Sequence, residues 1–290
     1  MSEYQYFEFL AVDKPLNARM QSEVRKLSTR AVITPTSFTN TYHFGDFRGD
    51  PRVMMHKCYD LHIHVTNWGT RRLMVKVPAE ALSGVADDYT VDPYLTAEAT
   101  GKHFVFDFTS EDDSADFTEE AEGWMASLAR VRDEITMGDL RPLYLGWLAA
   151  IGTAQRNEYA FETESEHELE PAVPAGLGDL TGPQQALADY LRIDTHLLAA
   201  AREASSALPS KAQATAALRK HIAKLPESTK NRLLLAVAQG RYAAVQAELA
   251  RVTGDVRRSD HQPRTVVALL DHADRAREAA HRSRGRSAAR

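Results

Sequence analysis

Apolar side chains fall on both faces of the period-2 pattern from Tyr4 to Val12, as expected of a central strand covered on two sides. Pro15 ends that strand, and Met20, Val24 and Leu27 then recur at helical spacing. Thr29 to Phe44 is Thr-rich and β-prone, with a break at Pro35. Gly45 to Pro51 reads as a loop from its Gly, Asp and Pro content, and Pro51 suits the first turn of a short helix through Val53, Met54 and His56. Leu61, Ile63 and Val65 alternate with His62, His64 and Thr66. After Asn67-Trp68-Gly69-Thr70, Leu73, Val75 and Val77 alternate with Arg72, Met74 and Lys76, which predicts a hairpin of two half-buried strands. A second hairpin is expected at Thr100-Gly101, with Phe104, Phe106 and Phe108 on one face of its second strand.

The order strand, helix, strand, helix, strand, strand predicts an α+β fold: a mostly antiparallel sheet with helices on one side and a ferredoxin-like core. From Glu111 the pattern turns helical. An acidic run placed in the first turn precedes Trp124, Leu128, Val131 and Ile135, and a second helix begins near Asp139 and is almost wholly apolar from Leu143 to Ile151. Pro171, Pro174, Gly176 and Gly178 have the composition of a linker. Beyond it, one helix from Pro183 carries Leu187, Leu191, Leu198 and Ala201. Ser210 and Gln213 make a capping box for the next, and Gly240 and Gly254 stand where helices end. The expected division is an α+β domain over 1–170 with an acidic connector, a linker over 171–182, a small all-helical bundle over 183–278 and a basic disordered tail over 279–290.

Charge sharpens this picture. Residues 1–108 carry 12 Lys/Arg against 13 Asp/Glu, residues 109–182 carry 4 against 17, and residues 183–290 carry 19 against 10. The basic end either meets the acidic middle within the fold or meets an acidic partner. One cysteine, Cys58, rules out an internal disulfide framework and suits a reducing compartment. No signal segment opens the chain and no apolar run approaches the ~20 residues that span a bilayer, so a cytoplasmic location without membrane contact is expected.

The stretches EYQYFEFLAVDKPL, ITPTSFTNTYHFGDFRGD and NWGTRRLM resemble a family of bacterial proteins, as does EPAVPAGLGDLTGPQQALADYLRID. The resemblance brings no activity, ligand or functional residue with it. It implies a bacterial cytoplasmic origin.

The densest cluster of polar chemistry lies between His43 and His64. His62 and His64 project from one face of a strand, and with Asp60 and His43 they form a candidate set for zinc or another transition metal. The opposing expectation is a solvated strand face beside cations, with no cofactor. Arg71, Arg72 and Lys76, with Trp68 at the edge, form a candidate anion-binding face. Arg282, Arg284 and Arg286 could contact nucleic-acid phosphates. A helix-turn-helix at Gln239-Gly240-Arg241 fails because Gln246 falls where an apolar residue is needed. Cys58 reads as a small core residue, and phosphate-loop, dinucleotide, hydrolase and kinase motifs are all missing. The leading expectation is a non-catalytic binding or scaffold protein acting with protein partners. The alternatives are a metal-dependent enzyme centred on His62 and His64 and a nucleic-acid-associated accessory protein.

Overall fold

A computed structural model of the chain describes residues 3–82, 86–113, 121–156, 168–242, 245–246, 248–249 and 264–288. Its centre is a seven-stranded sheet in which every neighbouring pair is antiparallel. The strands are β1 (Gln5–Leu10), β2 (Val32–Ile33), β3 (Ser37–Tyr42), β4 (Leu61–Thr66), β5 (Arg71–Pro78), β6 (Leu95–Thr100) and β7 (His103–Ser110). Their spatial order is β2-β3-β1-β4-β5-β7-β6. Helices α1 (Ala18–Arg25) and α2 (Pro51–Lys57) link β1 to β2 and β3 to β4. The first four strands with these two helices therefore have the ferredoxin-like connectivity expected from the sequence, and β5, β7 and β6 extend the sheet from β4. Asn17 caps α1 by accepting from the Met20 amide, and Asp50 caps α2 ahead of Pro51.

Helices cover both faces of the sheet rather than one. Phe7, Phe9, Phe38 and Met74 pack with Leu16, Val24, Met54 and Met55 beneath α1 and α2. On the opposite face, Leu61, Ile63, Leu73, Val75, Phe106 and Phe108 meet α3 (Trp124–Thr136) and α4 (Arg141–Arg156). The hairpin strands expected to be half-buried are thus buried on both sides, with His62 and Met74 as inaccessible as Ile63. Gly146 in α4 permits this closeness, since a Cβ there would lie 2.5 Å from the Phe108 ring. The acidic run does not occupy the first turn of α3. That helix opens at Trp124 behind Gly123, and residues 114–120 lie outside the described part of the chain.

The helices beyond residue 180 are α5 (Gly182–Tyr190), α6 (Thr195–Glu203), α7 (Lys211–Lys224), α8 (Glu227–Ala238) and α9 (Val266–Ala288). The single helix expected from Pro183 to Ala201 is broken in two. Arg192 takes a positive φ of 55°, and Asp194 caps α6 through the His196 and Leu197 amides.

The 171–182 stretch is packed into the molecule rather than strung between two bodies. Val173 and Leu177 belong to the same apolar cluster as the sheet, α3 and α4, and Leu187, Leu197, Leu198, Val266 and Leu269 join it from α5, α6 and α9. Glu170, 2% exposed, pairs with Arg264 and accepts from the Tyr144 hydroxyl, which stitches the same elements together with a buried charge. The separate cluster is a small one, formed by Leu233, Ala236 and Val245 with Leu225 and Leu249 beside them. The expected division at the Pro/Gly stretch therefore differs from the packing, because Leu-rich α5 and α6 complete the core of the sheet. The terminal stretch expected as a disordered tail from 279 continues α9 to Ala288. Among the described residues no helix is long and apolar enough to cross a membrane.

Candidate functional site

Strands β1, β4 and β5 set His64 directly between Phe7 and Arg72 in register, so the three residues form one row across the sheet. The face bearing this row is covered by α1, α2 and the loop around Gly45 to Asp50. Burial decides how each polar group on it behaves.

His62 is wholly buried and stacked on Phe9, with ring centroids 3.9 Å apart. Its Nδ1 lies 3.0 Å from the Glu8 carbonyl oxygen, while Nε2 has no partner in the described structure. Burial first, then His64 and Arg72, holds it well below the usual histidine range, so it is a neutral ring. His64 stacks on Phe7 at 4.1 Å, and its Nε2 lies 3.1 Å from Gln5 Oε1. Burial and then Arg72 pull it down to about 4, with Asp46 opposing.

The two histidines do share a face, as the strand period requires, but the other two proposed metal ligands are engaged elsewhere. Asp60 Oδ1 is 2.8 Å from Lys76 Nζ, and Oδ2 accepts from the Val12 and Asp13 amides. Burial alone would raise Asp60, but Lys76 and the amides hold it below the usual carboxylate range. His43 packs edge-on against Tyr4. Among the described residues no three His, Cys, Asp or Glu side chains are gathered as a metal would need.

The candidate anion face is likewise dispersed by the pleat. Arg71 points to the opposite side, between Trp124 and Tyr190 at 5.5 and 5.9 Å, and donates to the Asp189 and Tyr190 carbonyls. Arg72 grips Asp107 with Nε and Nη2 at 2.7 and 2.5 Å. Lys76 uses its ammonium on Asp60 and on the Met55 and Tyr59 carbonyls. Trp68 stays 43% exposed beyond the end of β4. Cys58 closes α2, and burial first, then Glu23, raises its thiol, which favours an inert core-edge residue over a nucleophile. Arg282, the member of the terminal arginine group whose side chain is described, faces Glu278 at 3.5 Å.

Among the described residues, two open surface features stand out. The first is a cleft of about 540 Å3 lined by Gln5, Phe7, Asp46, His64, Trp68 and Arg72. Its wall, the loop from Gly45 to Gly49, was legible in the sequence as a loop but not as a lining. The second lies on α7 and α8. None of the 14 residues of α7 is buried, and α8 buries only Leu233 and Ala236. Leu234, Leu235, Val237 and Tyr242 are exposed there, with Leu234 66% accessible, and Ile222 is exposed on α7. Residues 208–242 carry seven Lys/Arg against one Glu. The sequence predicts only a small helical bundle over 183–278, because periodicity reports an apolar face without saying what covers it.

No protein-family model matches this chain, and neither a curated protein nor a solved structure shows significant similarity to it. The four stretches that resemble bacterial proteins therefore bring no family to it.

Proposed function

We propose that this is a non-catalytic binding protein whose α7–α8 region docks onto a protein partner presenting an acidic, amphipathic face. The observation that carries the reading is a mismatch between helix length and packing. Isolated helices shorter than ~12–15 residues are marginal in water, and most of their stability in proteins comes from a packed face. Helices of 14 and 12 residues with two buried side chains between them lack such a face among the described residues. A partner that covers Leu234, Leu235 and Tyr242 would supply it; Arg232 pairs with Glu248 and Arg241 with Glu80, and the other five local cations favour an acidic one.

The polar row on the sheet argues in the same direction. Its histidines are neutral and ring-stacked, and its cations are paired, so it serves the interior first. The test is affinity capture with the full chain and with a Leu234→Glu, Leu235→Glu variant. A partner held by the first and lost by the second, with unchanged melting of the variant, supports the reading. The same proteins captured by both, or none by either, would reject it.

A further inference from the structure

The cleft beside Trp68 has a polar floor whose hydrogen-bonding sense can be read atom by atom. Gln5 Nε2 faces the Gly45 carbonyl oxygen at 3.5 Å, which turns Gln5 Oε1 toward His64. An amide oxygen only accepts, so His64 Nε2 must carry the ring proton. A neutral imidazole protonated at Nε2 has a bare lone pair at Nδ1, and His64 is kept neutral down to about pH 4. Nδ1 is thus an acceptor with no protein partner among the described residues. Next to it in register, Arg72 spends Nε and Nη2 on Asp107, which leaves the two Nη1 hydrogens as donors. The floor therefore presents one acceptor and one donor side by side, both on side chains held rigid, His64 by stacking on Phe7 and Arg72 by its fork on Asp107.

Three properties of the walls narrow the ligand further. Trp68 supplies an exposed ring at the rim, suited to stacking on a planar group. The volume, about 540 Å3, falls within the ~300–1,000 Å3 typical of small-molecule sites. The rim also carries Glu3 and Asp46, so the lining sets two carboxylates against the one guanidinium of Arg72, which is itself ion-paired with Asp107, a carboxylate it shares with Arg52.

We propose that this cleft binds a nucleobase as a free base or nucleoside, the planar ring stacking on Trp68 while its adjacent acceptor and donor meet Arg72 Nη1 and His64 Nδ1. Every common nucleobase bears such a donor–acceptor pair on its pairing edge. The acidic rim selects against nucleotides and against a strand.

Isothermal titration with uridine, cytidine, adenosine and guanosine tests this on the full chain, alongside uridine 5′-monophosphate and a short oligouridylate. The expected result is saturable binding of at least one nucleoside, tighter than its phosphorylated counterparts. Trp68→Ala should weaken it at least about fivefold, the stacking contribution of one aromatic ring. His64→Phe keeps the stack but removes the acceptor, and should weaken it about tenfold. Trp68 is a rim residue, so its variant should melt like the parent and keeps the test valid even where His64→Phe folds poorly. No saturation by any of the four below about 10 mM, a limit weaker than the ~4 kcal/mol of millimolar binding, would overturn the proposal. So would binding unchanged in Trp68→Ala, or oligouridylate binding more tightly than uridine.

Discussion

Acidification should destabilise this protein through His64, and the effect is separable from every other titrating group. An unfolded histidine takes up its proton near pH 6.5, while the folded His64 resists until about 4, because it is buried against Phe7 and lies beside Arg72. Between those values the unfolded chain holds a proton that the folded chain does not. Stability is therefore undiminished above the unfolded value and falls as the pH drops toward the folded one. Integrated over that window, the loss from His64 is roughly 3 kcal/mol. That is a large part of the ~5–15 kcal/mol by which domains are stable.

His62 acts in the same direction, whereas Glu8 and Glu134, raised mainly by burial, oppose it in the lower part of the window. A wild-type curve alone would mix these contributions. The comparison is urea unfolding of the parent and of His64→Phe at a series of pH values from 7 to 4. The difference in unfolding free energy between the two should move by roughly 3 kcal/mol across the series, in favour of the variant at low pH. Parallel curves would contradict this, since they would mean that His64 titrates as an exposed histidine.

Other outcomes follow from the packing. Arg264→Met strands Glu170, which is 2% exposed, and should cost about 3–5 kcal/mol in urea unfolding. A loss below ~1 kcal/mol, the value of a surface pair, would show the pair to be solvated. Gly146→Ala drives a methyl to 2.5 Å from the Phe108 ring and should cost about 1–3 kcal/mol by thermal melting. Truncation after Ala279 leaves the buried anchors Val266, Leu269 and Ala273 in place. It should preserve the melting curve and remove most of any weak, salt-sensitive binding to random RNA at about 0.15 M salt. Tight binding that survives the truncation would contradict that expectation.

The sheet was legible in the sequence because its signals are local. Period-2 alternation marks β4 and β5, Pro51 marks the first turn of α2, and Phe104, Phe106 and Phe108 share a face by strand geometry alone. What alternation cannot report is what lies above each face. His62, His64, Arg72 and Lys76 read as solvated because they are polar, yet they lie largely inside the fold and make polar contacts with Glu8, Gln5, Asp107 and Asp60. Those partners come from two other strands and from the turn before β4, so no window of neighbouring residues contains them. The packing of the stretch after Pro171 was hidden for a similar reason. Pro and Gly report an irregular backbone, and irregular backbone here is packed, with Leu177 inaccessible and the Gly176 amide donating to the Ser206 carbonyl. At the candidate site the sequence supplied His64, Arg72 and Trp68, but not Gln5, Phe7 or Asp46, which reach the cleft from a different strand and a loop.

The most direct test of the binding function is photo-crosslinking in living cells with a photoreactive residue at position 235 on α8, and in a parallel strain at position 98 on the exposed edge strand β6. A discrete protein adduct is expected from position 235 and none from position 98. No adduct at 235, or the same adducts at both positions, would contradict it.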